Sequence, residues 1–406
     1  MNRLQTLVAT FLLNTVMHVV LTTHFYSKRT KFMSASRYLL LSAVISCSTL
    51  STLAIAAPND VFLQVKPSDI SHPLSIEASF DISNDTVDIF NIRDTEKGIS
   101  DNAGDYQGGH LLVDYAFHPQ WLAEVGYWNR NIEYSQDDNK IDSWLAAVQY
   151  KPVISPNLVY LKPGDEAAIR FSLWGNKADQ LNKTSPTAVN NQRLSNIQVN
   201  DLSDIQAQVD LIFSRTLDRQ NKLNGFASLG YSKVEVDSLT ATLNKGNCNF
   251  NIQVESNNQL NGQLVAPCKD GNTQINEAII SYPASDYGLD INKDLSYDAG
   301  FLSLGGSWNW RYQKFSSQLG YQFQYLMRQD IDDRVSNYGS SAVKTNHTLG
   351  VDLAYQLNPY ASVFVAGQAF KNNFIGTIPF LYNSVTASRL ERKYGYASFG
   401  VRFANF

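Results

Sequence analysis

Two histidines are the first candidates for chemistry in this chain of 406 residues. His347 stands at an alternate position (345, 347, 349), where a ring at headgroup level suits the general base of a lipid hydrolase, provided that a serine stands beside it. Its neighbours at that height are Tyr325, Met327 and Gln329 on one side and Gly367 and Ala369 on the other. None is a serine, so His347 reads as a member of an aromatic belt. His110 falls near Asp114 on the opposite register and reads as an interior hydrogen-bonder. A third candidate is Asp290, Asn292, Asp294, Ser296 and Asp298, which space oxygens as a calcium loop does. It lacks the glycine expected at the sixth place, where Leu295 sits, and the glutamate at the twelfth, where Phe301 sits. Asp330 and Asp332 follow the next strand, so one rim would gather Asp290, Asn292, Asp294, Asp298, Asp330 and Asp332. Calcium there is set against a solvated acidic turn balanced by Lys293, Arg328 and Arg334. No other cofactor is expected.

Strands must position these residues. From Phe315 to Met327 every second residue is Phe, Ser, Leu, Tyr, Phe, Tyr or Met, and most of the residues between are glutamine or serine. The flanking stretches alternate likewise, with Leu302, Leu304, Trp308 and Trp310 before and Leu349, Val351, Leu353 and Tyr355 after. Strands about ten residues or longer, greasy on one face and amide-rich on the other, fit a transmembrane barrel better than a soluble sandwich. Alternation and turn residues give an all-β, antiparallel, up-and-down barrel of about twelve strands, within a range of ten to fourteen. They cover 74–82, 106–117, 121–134, 141–151, 167–175, 204–216, 223–236, the three stretches within 297–357, 360–371 and 392–403. Short links at His118–Gln120, Leu217–Lys222, Gln313 and Asn358–Pro359 mark the periplasmic end, and 152–166 is long for that side. The longest outer link, 237–296, reads as a lid, binding loop or constriction, with a further strand conceivable at 278–282. Polar charges on the inward register are Glu77, Asp81, Asp114, Glu124, Arg130, Arg170, Asp210, Arg328 and Asp352. Mixed signs either set a field across a narrow pore or pair across the lumen and close it.

Composition agrees with export. With 17 % charged residues and a mean hydropathy of -0.24 the chain offers no helical membrane span in its mature part. Residues 33–56 read as a Sec signal, with an apolar core and Ala54-Ile55-Ala56 before Ala57. Residues 1–32 then read as dispensable or untranslated sequence, 57–72 as a short periplasmic segment and 73–406 as the barrel. Cys47 would leave with the signal. Five of the 33 basic residues (Arg3, Lys28, Arg29, Lys31, Arg37) and none of the 37 acids lie in 1–56, which leaves 28 basic residues and argues against nucleic acid as partner. Cys248 and Cys268 remain, and an even pair in an exported chain reads as a disulfide.

Near the end, Tyr394-Gly-Tyr-Ala-Ser-Phe-Gly-Val-Arg-Phe403 resembles the last strand of outer-membrane proteins. That resemblance implies recognition of Phe399, Val401 and Phe403, with Phe406 beyond them out of register, by the barrel-assembly machinery. Length, the signal, and pieces such as Asp85–Ile92 and Leu223–Tyr231 resemble solitary autotransporter-type barrels, which carry the translocator barrel without a passenger. The expectation is therefore a monomeric bacterial outer-membrane barrel in contact with membrane lipid and lipopolysaccharide. It would act as a passive pore or autotransporter-like barrel and not as an enzyme. A surface-exposed structural or adhesive barrel is the alternative, and an outer-membrane lipid hydrolase a more distant one.

Overall fold

The structure is a computed structural model that describes residues 60–88, 92–93, 104–134, 137–153, 162, 164–189 and 192–404. The signal-like run, Cys47, most of the link 152–166 and Phe406 lie outside the described residues. Twelve strands form the wall: β1 Leu74–Ser83, β2 Asp105–His118, β3 Trp121–Tyr134, β4 Asp137–Tyr150, β5 Asp165–Lys183, β6 Gln192–Thr216, β7 Asn221–Glu235, β8 Tyr297–Tyr312, β9 Phe315–Arg328, β10 Thr345–Asn358, β11 Ala361–Phe370 and β12 Tyr394–Ala404. Each pairs antiparallel with the next. β12 returns to β1 through Ile76↔Phe403, Ala78↔Val401 and Phe80↔Phe399, which closes the ring and leaves the wall no open edge.

The alternation decides the faces. Leu319 is 46 % exposed and Gln322 2 %, and the same division runs through Leu302, Leu304, Trp308, Tyr321, Leu349, Val351 and Leu353 outside against Ser303, Gln318, Gln324, Asn346, Thr348 and Asp352 inside. An apolar and aromatic surface that continues around a closed ring needs hydrocarbon against it, so the chain is an outer-membrane β-barrel. Two-residue turns at Pro119–Gln120, Gln313–Lys314 and Pro359–Tyr360 lie at the end where β1 begins. Gln313 takes a left-handed φ of 53° to make its turn.

Two expectations about the outer side are corrected. β5 and β6 do not end at 175 and begin at 204 but run on to Lys183 and back from Gln192, far beyond the nine to eleven residues or so that a membrane needs. Their alternation is broken at Asp201 and Asn196, both at φ 49°: the pair between Ala178↔Leu202 and Gln180↔Asn200 drops out of the ladder, and against the strand Ser238–Lys245 the register shifts between Ser195 and Gln198. Such a bulge inverts the period-two signal, which is why the pattern ends early. The link 237–296 is not structureless either. Strands Ser238–Lys245, Cys248–Glu255, Gln259–Leu264 and Ile279–Pro283 add in turn to the outer part of β6 and form an extracellular sheet. The strand foreseen at 278–282 therefore exists, but outside the wall. Cys248 is bridged to Cys268, which opens the small hairpin Cys268–Asp270/Thr273–Ile275. The covered face of this sheet, with Leu239, Leu243, Phe250, Ile252, Val254 and Leu260, joins the same apolar core as Tyr106, Trp128, Trp174 and Phe301 of the barrel mouth.

Candidate functional site: the filled lumen

Upstream of β1, residues 60–66 lie inside the barrel. Asp60 to Lys66 are all buried, and Val61 and Phe62 run against the cross-strand pair Gly320↔Gly350. A Cβ on Gly320 would stand 2.5 Å from the Val61 carbonyl oxygen, and one on Gly350 2.4 Å from Val61 Cγ2, so only glycine lets the segment approach this closely. Leu63 and Val65 pack on Ala168, Ile212 and Phe226. With no strand beside it, the segment turns Phe62 N onto its own Asp60 carboxylate (2.7 Å) and takes its other hydrogen bonds largely from wall side chains. Val65 N donates to Ser214 Oγ (3.2 Å), Lys66 N to Gln149 Oε1 (3.2 Å), Gln149 Nε2 to the Lys66 carbonyl (3.0 Å), and Asn309 Nδ2 to Gln64 Oε1 (2.8 Å). The Lys66 ammonium lies 3.0 Å from Asp114 and 2.5 Å from Glu124, which face each other across β2 and β3. Arg170 continues the chain of charges to Glu124 (2.6 Å) and Asp210 (3.1 Å).

A second buried network spans the seam where the ring closes. Arg402 of β12 binds Glu77 of β1 (2.6 Å) and Asp352 of β10 (2.6 Å) and lies 3.8 Å over the Phe364 ring. His110 of β2 bridges Glu77 (Nε2, 3.1 Å) and Asp81 (Nδ1, 2.9 Å). Its partners are thus these two and not Asp114, which belongs to Lys66. Ser79 Oγ stands 2.7 Å from His110 Nδ1, giving serine, histidine and acid side by side. Both ring nitrogens already face carboxylates, however, so the ring has no lone pair directed at Ser79 to take its proton, and the group acts as a clamp. Arg130 donates to Ser143 Oγ (2.6 Å), and Arg328 donates to the Val343 carbonyl (2.7 Å) and stacks 3.8 Å over Tyr382. All nine inward charges read from the sequence are buried on the inner face. Two were missed. Arg402 was legible, because it alternates with Val401 and Phe403; Lys66 was not, because it belongs to no strand.

The outer half of the lumen is filled by the segment 371–393 between β11 and β12, whose two short helical turns are Pro379–Leu381 and Ala387–Leu390. Phe374, Ile375, Ile378, Phe380, Leu381, Tyr382 and Val385 are at most 2 % exposed. Tyr297 OH donates to the Pro379 carbonyl (2.7 Å), Asn176 Nδ2 to that of Thr377 (3.2 Å), Asn346 Nδ2 to that of Ile375 (3.1 Å), and Phe380 N to Asp204 (3.3 Å). Arg389 pairs with Asp137 at 2.5 Å. The missed signal was the apolar run from Phe374 to Tyr382, which is out of place in a link meant for water.

The remaining candidates fall apart from one another. Asp290 accepts from Asn292 N (3.1 Å) as a helix cap, Asn292 donates its amide to the Ser256 carbonyl (3.1 Å), Asp294 binds Arg334 (2.6 Å) and Tyr338 OH (2.7 Å), Asp332 faces Arg328 (3.3 Å), and Asp298 pairs with Tyr231. Asp330 only begins the turn 331–334. Among the described residues no three ligating side chains converge, so the calcium rim is corrected to a set of separate caps and ion pairs. Burial, and then the Asp294 carboxylate beside it, push the Tyr338 phenol well above its ordinary range, which keeps it a donor. His347 Nδ1 lies 2.7 Å from the Tyr321 hydroxyl on the lipid side, between rings and not beside a serine. Phe399 and Phe403 face outward on the last strand and Val401 is half-buried.

No protein-family model and no curated protein matches the chain. Among solved structures it is similar to the translocator domain of the autotransporter NalP from Neisseria meningitidis (6 % identity, TM-score 0.41, covering 82 % of this chain and 88 % of that one). It is similar also to the KdgM porin (8 %, 0.33, 81 % and 98 %) and to the outer membrane protease OmpT from Escherichia coli (12 %, 0.26, 82 % and 96 %). At such scores these likenesses carry no weight on function; the barrel is identified by its own closed ring of strand pairs.

Proposed function

We propose that this outer-membrane β-barrel is a closed anchor, which holds its extracellular sheet rigidly above the membrane and does not pass solute freely at rest. The filled lumen carries this reading: Asp60–Lys66 occupy the inner half and the apolar segment 374–385 the outer half. Wall and sheet also share one apolar core, which suits display on a stiff base. A gated pore is the second reading, favoured by the inner plug, which is only seven residues long and carries a single lysine in its ion pairs. The autotransporter-type resemblance sits with that second reading, since residues 60–66 ahead of β1 lie in the lumen. We propose further that the outward Phe399 and Phe403 serve assembly, that the apolar belt meets lipid and lipopolysaccharide, and that the barrel is monomeric. The test is conductance of the refolded protein in planar bilayers with a panel of polar solutes. Silence at wild-type heat resistance on gels supports the anchor; stable open steps that a solute blocks would overturn it in favour of the pore.

A further inference from the structure

The outer face of the extracellular sheet is built from uncharged hydrogen-bonding side chains in register. One row crosses the strands as Ser195, Thr242, Asn251 and Gln263, and the next as Gln198, Thr240, Gln253, Asn261 and Ser281. Six of them, Thr240, Thr242, Asn251, Gln253, Asn261 and Gln263, line an open groove of about 700 Å³, with Asn196 and Ile279 also on its lining. A surface kept only for solubility carries roughly 25–35 % charged residues. These nine positions carry none, and the nearest charges, Arg193, Lys245 and Glu255, stand at the margins of the sheet.

From this face we infer a binding site for a neutral polysaccharide chain. Such a ligand offers hydroxyl groups that donate and accept in turn and no charge, and amide and hydroxyl side chains answer both roles. Neighbouring strands stand ~4.8 Å apart, close to the length of one sugar ring, so a chain laid across the strands meets a fresh side chain at each ring. Part of the lattice is already fixed: Thr242 Oγ1 donates to Asn251 Oδ1 (3.3 Å), Gln259 Nε2 to Ser281 Oγ (3.0 Å), and Ser281 Oγ to Asn261 Oδ1 (2.8 Å). This orders the face before a ligand arrives and lowers the entropy lost on binding. Gln253 and Gln263 extend into the groove between these fixed groups. The opposite face is the buried one, and the disulfide pins the end of the Cys248–Glu255 strand, so the platform is rigid.

The inference builds on the anchor reading but is read by a different measurement, so either can fail alone: bilayer recordings report the lumen and the following assay the sheet. The full-length protein in detergent is run through native gels containing dextran, mannan, galactan, rhamnan or polygalacturonate, beside the triple variant Asn251→Ala, Gln253→Ala, Gln263→Ala. All three side chains are on the water face, and heat-resistant migration checks that the variant is folded. Retardation by at least one neutral polymer, unchanged in 0.5 M salt and weakened about tenfold or more in the variant, is the expected result. No retardation by any neutral polymer, equal retardation of protein and variant, or a salt-sensitive retardation by polygalacturonate alone would each overturn it. A conservative triple variant, Asn251→Gln, Gln253→Asn, Gln263→Asn, keeps amides in place and should hold on to more of the binding than alanine does.

Discussion

Lys66 is where one side chain does most to close the barrel. It supplies the positive charge that Asp114 and Glu124 both need, and both acids are buried on facing strands. Removing one partner of a buried ion pair costs about 3–5 kcal/mol, because the charge left behind is neither hydrated nor paired; here that charge is Asp114, since Glu124 keeps Arg170. Lys66→Ala should therefore lower the unfolding free energy of the refolded barrel by that amount, read as a lowered denaturant midpoint, and the triple variant Lys66→Met, Asp114→Asn, Glu124→Gln should recover most of it. An unchanged midpoint for Lys66→Ala would show that the cluster does not hold the segment. The two faces of β9 give a second comparison. Leu319→Arg puts a charge against hydrocarbon and should cost about 2–4 kcal/mol near the midplane. From the sequence, with water assumed in the lumen, Gln322→Arg looks harmless. Gln322 is only 2 % exposed in a packed interior, so the arginine meets neither water nor a vacant acid, and this change too should be destabilising. Spin labels separate the two causes: a label at 319 should be accessible to lipid-soluble oxygen, and one at 322 immobile and accessible neither to oxygen nor to a water-soluble relaxant.

Elements were legible wherever one face met lipid and the other did not. The period-two pattern of β8, β9 and β10 located all three strands and their faces, because a barrel wall has two unlike solvents and alternation records both. Outside the membrane both sides of a strand meet protein or water, and the pattern weakens. Thus the outer parts of β5 and β6, bulged at Asn196 and Asp201, read as loop, and the strands of 238–283 were hidden among asparagines, threonines and glutamines. The inner plug was illegible for a different reason, since nothing in a local pattern says that Val61 lies beside Gly320. The disulfide was legible from counting alone, and it permits a prediction for this element. Closing a loop of twenty residues removes about 3 kcal/mol of unfolded-state freedom. The bridge joins only extracellular strands, so reduction should expose 246–276 to protease while leaving heat-resistant migration of the barrel unchanged. Thiol labelling of both cysteines in the untreated folded protein would show that the bridge does not form.

At the scale of the whole molecule the two plugs act in series. The inner one is short and mixed, with Val61, Phe62, Leu63 and Val65 packed on the wall and its polar groups held by Asp114, Gln149, Ser214 and Asn309. The outer one is apolar, with Phe374, Phe380 and Tyr382 in one core with the mouth of the barrel and the covered face of the sheet. Because a pore conducts only when every constriction along it is open, removing either plug should leave the barrel silent. Deleting 60–66 would empty the inner half against an intact outer core. Replacing 374–385 by a short glycine–serine turn would open the mouth onto the lumen segment, at the loss of several buried aromatic side chains worth about 3–5 kcal/mol each when truncated. Only the double variant should show steady current in a planar bilayer, provided that its heat-resistant band proves it folded, and its steps should be similar from one insertion to the next, since the wall that bounds them is the same closed ring. Current from the 60–66 deletion alone would mean that the outer plug is a gate and not a seal, and would favour the pore over the anchor. Silence of a folded double variant would mean instead that the inward charges Arg402, Glu77, Asp352, Arg170 and Asp210, paired between nearby strands of the wall, suffice to close the bore without either plug.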